Sequence, residues 1–155
     1  GAPPEWVSEV SAGDVPLETE SSRSAVYRGT LCLSVLKGSR DFCTGKPSVL
    51  HKCDDDHIFA KGSFGKSFPV NSVLNRALIE DKCNKAKGKK LPSTFFADCL
   101  EGHGGDKSML LATLGSHLID ETAYRSLLDD DFDSFVTARR ECITSAIESR
   151  LDFGA

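Results

Sequence analysis

The sequence predicts an α+β domain in which helices dominate. A helical pattern comes first along the chain, and two short extended segments follow it near the middle. The second half of the chain carries further helical patterns, and no internal repeat occurs. This order of one helix, a small β-element and several helices is typical of an α+β domain.

The first predicted helix lies within residues 22–38. Its apolar residues stand at positions 26, 27, 31, 33, 35 and 36, with a serine before them and Gly38 after them. Residues 1–22 are rich in Pro, Ser, Gly and acidic residues. We therefore expect a weakly structured lead-in or the remnant of an upstream region there, with the domain at 23–155. Since no Met begins the chain, we expect a processed or excised fragment.

The β-element is predicted at residues 48–59 and 73–79, with a short helix directly after it. Side chains alternate in character along 48–59, as they do in a strand, and 73–79 is short and apolar. Residues 60–72 hold two glycines, a proline and an asparagine, which indicates a loop. Residues 80–88 begin with two acids and end in lysines and a glycine, the charge order that a helix dipole favours.

Three further helices are predicted at residues 93–100, 106–119 and 130–151. The last is amphipathic, because residues spaced three and four apart fall on one face of it. That face comprises Phe132, Phe135, Val136, Arg139, Ile143, Ile147 and Leu151. We expect the pairs Phe95–Phe96 and Phe132–Phe135 to pack in the core rather than to stack on bases.

Length and composition fit one ordinary globular domain. The chain has 155 residues, of which 39% are hydrophobic and 27% charged, so it is long enough for one buried core. No apolar stretch approaches the roughly 20 residues of a membrane span, and we expect no membrane partner. The six cysteines are widely spaced and form no CxxC, so we expect reduced thiols in a cytoplasmic protein.

The charge is distributed unevenly along the chain. The net charge is −4, but residues 61–90 hold eight basic and two acidic residues, which leaves +6 there and −10 elsewhere. A local cationic segment on an acidic protein indicates that a polyanion binds at one place. A solvated, lysine-rich helix and loop is the alternative interpretation.

A metal site is predicted where the acidic run "DDDHIF" (54–59) meets the short helix. If residues 73–79 are extended and 80–88 helical, the chain folds Asn84 back onto Asp56 and His57. Carboxylate and amide oxygens are hard ligands, which suit Mg²⁺ together with water and phosphate oxygens. His57 points away from its strand neighbour, so it can act as a base toward a water on the other side of a phosphate.

These residues resemble a known nuclease motif. "DHIF", Asn75, Asn84 nine residues later and "CNKAK" (83–87) are similar to the HNH, or ββα-metal, endonuclease motif. The segments "LKGSRDF", "GKKLPSTF" and "DDFDSFVTARRECI" narrow the resemblance to the HNH domain at the C-terminus of GmrSD-type, DUF262-associated restriction and phage-defence proteins. The resemblance covers residues 24–151.

The resemblance implies a ββα-metal site, a hairpin plus a helix, embedded in a mostly helical domain. It assigns Asp56 and Asn84 as ligands of Mg²⁺ or Mn²⁺ and His57 as the general base. Asn75 would belong to the catalytic set mainly by bridging the loop that holds the histidine strand. The candidate nucleic-acid contacts are Lys82, Lys85, Lys87, Lys89 and Lys90.

The chain departs from the family pattern in two places. Many HNH domains bind a structural zinc through two CxxC pairs, but here Glu80 stands where a partner for Cys83 would be. We therefore expect no structural zinc. The family often has a proline where this chain has Ala60, which weakens the match of the loop and leaves the chemistry unchanged.

The expected function is metal-dependent hydrolysis of DNA phosphodiesters, as the nuclease module of a restriction or phage-defence system. An upstream ATPase or specificity domain is the expected partner in a longer protein. One such site nicks one strand, so double-strand cleavage needs a homodimer or two successive events. The alternative is an inactive DNA-binding or interaction module on an HNH scaffold. A purely helical interaction domain would leave the cationic segment unexplained.

The remaining acids and histidines are expected to be bystanders. Asp54 and Asp55 are predicted to face solvent, although either could replace Asp56 as a ligand if the strand register slips by one or two residues. We expect His51 to pack in the hairpin, His103 to lie in a solvated glycine-rich loop, and His117 to be partly buried in a helical pattern.

Overall fold

The computed structural model describes residues 11–61 and 69–151, and it confirms the α+β class. Within these residues, six helices accompany one two-stranded antiparallel sheet. The elements are α1 (Ala25–Leu36), β1 (Cys53–His57), β2 (Arg76–Glu80), α2 (Asp81–Lys87), α3 (Pro92–Gly102), α4 (Lys107–Gly115), α5 (Glu121–Leu128) and α6 (Phe132–Leu151). No helix in the described part of the chain is both long and apolar enough to cross a membrane.

Helix α5 is the element that the sequence patterns did not predict. It is only eight residues long, so it shows little more than two turns of periodicity. Its start does carry a signal, because the side chain of Asp120 accepts a hydrogen bond from the amide of Ala123 at 2.8 Å. An aspartate in this position is a common N-cap, so the start of the helix can be recognised in the sequence.

The hairpin is shorter than predicted, because both of its strands begin with a 3₁₀ turn. Leu50–Lys52 precedes β1, and Val73–Asn75 precedes β2. At the second turn the hydroxyl of Ser72 accepts a hydrogen bond from the amide of Leu74 at 3.2 Å, which competes with extended pairing. The strands then pair in register from Cys53–Glu80 to His57–Arg76, and α2 follows β2 without a loop.

Phenylalanine rings from the hairpin end, α3 and α6 form the centre of the main core. Phe59 lies 5.3 Å from both Phe132 and Phe135, measured between ring centroids. Phe95 and Phe96 are also buried and lie 5.0 Å apart. The prediction that these two pairs pack in the core is therefore confirmed.

Residues 11–22 belong to the folded domain. Leu17 is fully buried and joins a second apolar cluster with Leu33, Leu74 and Ile143. Ser72 donates to the carbonyl of Leu17 at 3.2 Å, which ties this segment to the turn before β2. The boundary expected at residue 22 therefore does not separate these residues from the core, while residues 1–10 lie outside the described part.

Helix α6 supports the hairpin through one buried cation. Arg139, which the sequence places on one face of the helix with its apolar residues, is 1% exposed. Its guanidinium donates to the carbonyls of Leu74 at 2.7 Å and His117 at 3.1 Å. Burial lowers the pKa of Arg139 to about 10. These bonds fix the 3₁₀ turn that leads into β2.

A disulfide joins Cys43, in the loop after α1, to Cys83 in α2, with a Cα–Cα distance of 5.9 Å. The expectation that all cysteines are reduced thiols is wrong for this pair. The two cysteines are 40 residues apart, so no local spacing in the sequence predicts their contact. The other four cysteines are free.

Candidate active site

Asp56 and Asn84 meet at the corner between the hairpin and α2, as the sequence predicts. Asp56 lies next to the end of β1, and α2 turns Asn84 back toward it. The side-chain amide of Asn84 donates a hydrogen bond to Oδ2 of Asp56. A metal ion needs the amide oxygen instead, which a half-turn of the amide group presents at the same position. The pair therefore offers two hard oxygen donors once the amide has turned.

His57 is held at the edge of this corner by a residue that the sequence reasoning did not single out. Its Nε2 lies 3.0 Å from the side-chain oxygen of Asn71. An oxygen acceptor there requires the proton on Nε2, which leaves the lone pair on Nδ1. Nδ1 lies 3.6 Å from Oδ1 of Asp56, on the side of the candidate metal ligands. With the amide of Asn71 in this orientation, Nε2 carries the proton and the free nitrogen faces the site.

The surroundings keep His57 uncharged near neutral pH. Burial lowers its pKa below the usual value, and the positive charges of Arg76 and Lys87 lower it further. The hydrogen bond to Asn71 and the charge of Asp56 act in the opposite direction and are the weaker influence overall. An uncharged imidazole can accept a proton, which a general base requires.

Asn75 is fully buried and fastens the loop that follows β1. Its side-chain oxygen accepts from the amide of Phe59 at 2.8 Å. Its side-chain nitrogen donates to the carbonyls of Phe59 at 3.0 Å and Val70 at 2.8 Å. The backbone carbonyl of Asn75 also accepts from Ile58 at 2.9 Å. Asn75 thus holds both ends of this loop without reaching the corner itself.

Lys87 differs from the other candidate phosphate-binding lysines because it is buried, with 3% of its surface exposed. Its ammonium donates to the carbonyl of His57 and lies 3.9 Å from Oδ1 of Asp56. Burial lowers the pKa of Lys87, and the charge of Asp56 opposes this shift. Lys87 thus bonds to the backbone of β1 beside the candidate ligand.

An open cavity of about 460 Å³ lies over the corner, with Asp56, His57 and Asn84 in its wall. The lysines that line it are Lys61, Lys85, Lys87 and Lys89. Lys61 was not among the predicted contacts. Lys82 lines a different cavity, and Lys90 pairs with Asp98 at 2.7 Å. The predicted cationic segment is therefore divided, and three of its five candidate lysines reach the corner.

The two aspartates before Asp56 lie outside the corner. Asp54 is exposed, as expected. Asp55 is half-buried, since it accepts from the hydroxyl of Tyr27 at 2.6 Å and lies 3.7 Å from the guanidinium of Arg76. The expectation that Asp55 faces solvent is wrong, because α1 covers it. The observed register places Asp56, and neither of its neighbours, against Asn84.

The other three histidines also lie away from the corner. His51 is exposed in the turn before β1, where packing was expected. His103, expected in a solvated loop, is buried, with its ring 2.7 Å from the carbonyl of Cys99 and 3.1 Å from the hydroxyl of Thr113. His117 is fully buried and donates to the carbonyl of Arg40 at 2.6 Å.

Comparisons with known proteins give little guidance on activity. No family model matches the chain, and no solved structure matches it. The uncharacterized protein MJ0686 of Methanocaldococcus jannaschii is 27% identical over 162 aligned positions, which cover 90% of this chain. The alignment covers 28% of that relative, so the chain spans well under a third of its length.

Proposed function

We propose that the chain is a metal-dependent DNA endonuclease domain with a ββα-metal site of the HNH type. One observation carries the proposal: Asp56 and Asn84 touch, and His57 lies beside them in the wall of a lysine-lined cavity. The resemblance of "DHIF", Asn75 and "CNKAK" to the HNH motif supports the same conclusion.

The donor set fits Mg²⁺ or Mn²⁺. Asp56 would supply a carboxylate oxygen and Asn84 an amide oxygen, and the open cavity leaves room for water and phosphate oxygens in the other positions. When bound, the ion would offset the negative charge that develops on the phosphate and the leaving oxygen.

His57 would take the proton of the attacking water. The water oxygen forms a bond to phosphorus, the ester P–O bond breaks, and the leaving oxygen takes a proton from solvent. Asn71 keeps the Nε2 proton in place, so the other ring nitrogen stays available as the acceptor. Asn71 is thus a positioning residue for His57.

The exposed lysines on the rim would hold the DNA backbone. Lys61, Lys85 and Lys89 are exposed and line the cavity, so their ammonium groups can contact phosphates on either side of the scissile bond. Contacts of this kind are independent of sequence, so specificity would come from another domain of a longer protein. That arrangement suits a nuclease module of a restriction or phage-defence system.

The decisive experiment compares two histidine variants on supercoiled plasmid with Mg²⁺ or Mn²⁺. His57→Ala should slow nicking about 10²–10⁴-fold, the usual contribution of a general base. His51→Ala is the matched control, because this exposed histidine lies six residues upstream and away from the corner, and it should nick at the wild-type rate. Equal nicking by His57→Ala and wild type would falsify the proposal.

The inactive DNA-binding module is the second candidate. The hydrogen bond between Asn84 and Asp56 favours it, because the two candidate ligands bind each other instead of an ion. Mg²⁺ or Mn²⁺ titration separates the two functions. A nuclease site binds the ion in wild type and loses it in Asn84→Ala. A binding module shows no difference between the two proteins and keeps salt-sensitive DNA binding in both.

A further inference from the structure

A second group of ligand-type side chains lies on the other side of α2 and has no part in the proposed nuclease chemistry. Asp41 and Cys43 come from the loop after α1, and Cys83 comes from the first turn of α2. Their donor atoms all lie within 4.8 Å of one another. We propose that these three side chains bind a thiophilic divalent cation of the Zn²⁺ type when the Cys43–Cys83 disulfide is reduced.

The loop that holds two of the donors is fixed independently of the disulfide. Oδ1 of Asp41 accepts from the amide of Thr44 at 2.9 Å and from its hydroxyl at 2.8 Å. The backbone of Asp41 donates to the carbonyl of Lys46 and accepts from Gly45, both at 2.8 Å. Breaking the S–S bond removes none of these hydrogen bonds, so Asp41 and Cys43 keep their places.

The end of α3 presses on the same loop. A Cβ atom at Gly102 would come within 2.5 Å of the carbonyl oxygen of Cys43, so only glycine allows this approach. Cys83 is held equally firmly, because it is buried in α2 with 2% of its surface exposed. The two sulfurs therefore remain neighbours in the reduced protein and need only move apart to the spacing that an ion between them requires.

The number and type of donors fit zinc better than magnesium. Structural zinc takes four ligands in a tetrahedron, commonly with thiolates among them, whereas Mg²⁺ prefers oxygen ligands alone. Two thiolates and the carboxylate of Asp41 supply three ligands. The fourth position can be filled by water or by Glu80, which lines the same cavity of about 340 Å³.

The charges of the cavity suit a loaded site. Two thiolates, one carboxylate and a divalent cation sum to one negative charge, and Lys46 and Lys82 line the same cavity. This gives Lys82 a place on the Cys83 side of α2 instead of at the DNA-facing corner. The expectation of no structural zinc depended on the missing CxxC partner of Cys83, and the fold supplies that partner from Cys43.

Reduction followed by metal binding converts the disulfide form into the metal-bound form. An external thiol or phosphine reductant donates two electrons, and with two protons the S–S bond becomes two thiols while the reductant is oxidised. Binding of the cation then forms two metal–sulfur bonds and releases the two thiol protons to solvent. The disulfide and the metal complex therefore exclude each other, because the same two sulfur atoms form either the S–S bond or the metal–sulfur bonds.

Cobalt(II) is the probe for the test, because thiolate ligation gives it an intense near-ultraviolet charge-transfer band that oxygen ligands do not give. The whole chain is reduced under nitrogen, freed of reductant and titrated with Co²⁺. We expect the band to appear in the reduced wild type and to be absent from the oxidised wild type. Cys43→Ser should lose the band, Asp41→Asn should weaken it, and Cys32→Ser, at an exposed free cysteine, should retain it.

A thiol count makes the result decisive. The folded chain is reduced or left oxidised, and its free thiols are then counted in denaturant, because Cys99 and Cys83 are buried in the fold. The oxidised protein should show four titratable thiols and the reduced protein all six. The proposal is overturned if the reduced chain shows six thiols and binds Co²⁺ without the band. It is equally overturned if the native chain cannot be reduced beyond four, because the site then never forms. Neither result bears on nicking at the Asp56–Asn84 corner.

Discussion

On one side of α2, Asn84 donates a hydrogen bond to Asp56 in the wall of an open cavity that lysines line. On the other side, Cys83 lies against Asp41 and Cys43 in a largely buried cluster. The two helix residues are adjacent in sequence, and successive residues of a helix point about 100° apart. The open side offers hard oxygen donors and the buried side offers sulfur. One short helix would therefore separate the two proposed cation sites by chemistry as well as by direction.

The largest expected effect is a difference in stability between variants of the two asparagines near the open side. Asn75→Ala removes three buried hydrogen bonds to the backbone of Phe59 and Val70, so the free energy of unfolding should fall by about 3–6 kcal/mol. Asn84→Ala removes one half-buried hydrogen bond on a helix and should change stability by only about 0.5 kcal/mol. Urea unfolding of both variants checks this. Similar losses in the two would show that Asn75 does not fasten the loop.

On the buried side, the disulfide should contribute most to stability. A cross-link between residues 40 positions apart lowers the conformational entropy of the unfolded chain. In the chain-entropy treatment this raises the free energy of unfolding by about 4 kcal/mol. Cys43→Ser should therefore lower the denaturation midpoint of the oxidised protein strongly and leave that of the reduced, metal-free protein nearly unchanged. Cys32→Ser serves as the control in both states. An equal loss in both states would mean that the cross-link adds nothing beyond packing.

Acid should lower the free energy of unfolding through His117, on the buried side. The His117 ring lies 4.4 Å from the ring of Phe42, measured between centroids, and it donates to the carbonyl of Arg40 in the loop that holds Cys43. Burial lowers its pKa to about 4. The unfolded chain takes up the proton near pH 6.5, so the stability is fully present above that pH and is lost as the pH falls toward 4. The loss should reach about 3 kcal/mol.

His117→Gln keeps a donor for Arg40 but cannot titrate, so it provides the matched control. Its stability should depend less on pH than that of wild type between pH 6.5 and 4, as measured by urea unfolding at several pH values. Parallel pH profiles for the two proteins would rule out His117 as the cause.

The positioning of His57 can be tested at Asn71. Asn71→Ala removes the acceptor on Nε2 and should slow nicking about 10- to 100-fold, the usual cost of losing a partner that orients a catalytic-site histidine. Asn71→Asp retains an oxygen acceptor and should restore most of the rate, which a purely structural role would not predict. Thermal unfolding of both variants shows whether the fold is intact.

The smallest expected effect distinguishes the lysines on the two sides of α2. Lys89→Ala, on the open side, should weaken DNA binding similarly for all sequences and reduce the slope of log affinity against log salt by about 1. Lys82→Ala, on the Cys83 side, should leave the slope unchanged. Fluorescence anisotropy at several salt concentrations measures both. Equal slopes for the two variants would mean that the DNA does not follow the open cavity.

The open side could be predicted from the sequence because its residues are close along the chain. A strand, a hairpin and a helix within about 30 residues leave few ways to arrange Asp56 and Asn84, and standard helix and strand patterns fix the order of these elements. Asn71 was missed because it lies in an irregular loop, where no periodicity says which way a side chain points. The direction of each lysine was likewise hidden, since a charge count per segment carries no geometry.

The buried side was out of reach for a different reason. Cys43 meets Cys83 through tertiary packing, in which the end of α3 lies directly against the loop after α1. Helix α5 was missed because it is only eight residues long, although Asp120 marks its start and its buried residues follow a helical spacing. His103 was misplaced since a glycine-rich surrounding suggests solvent, whereas its ring is tied to Cys99 and Thr113 in the interior.

The absence of any loop between β2 and α2 has a consequence for how the chain can vary. Glu80 is both the last residue of the strand and the N-cap of the helix, so nothing at this junction absorbs a shift. Deleting one residue at 81 or 82 would turn the rest of the helix by about 100° and move Cys83 and Asn84 away from their partners together. The two proposed sites therefore depend on the same rigid junction, and a change in its length would disrupt both.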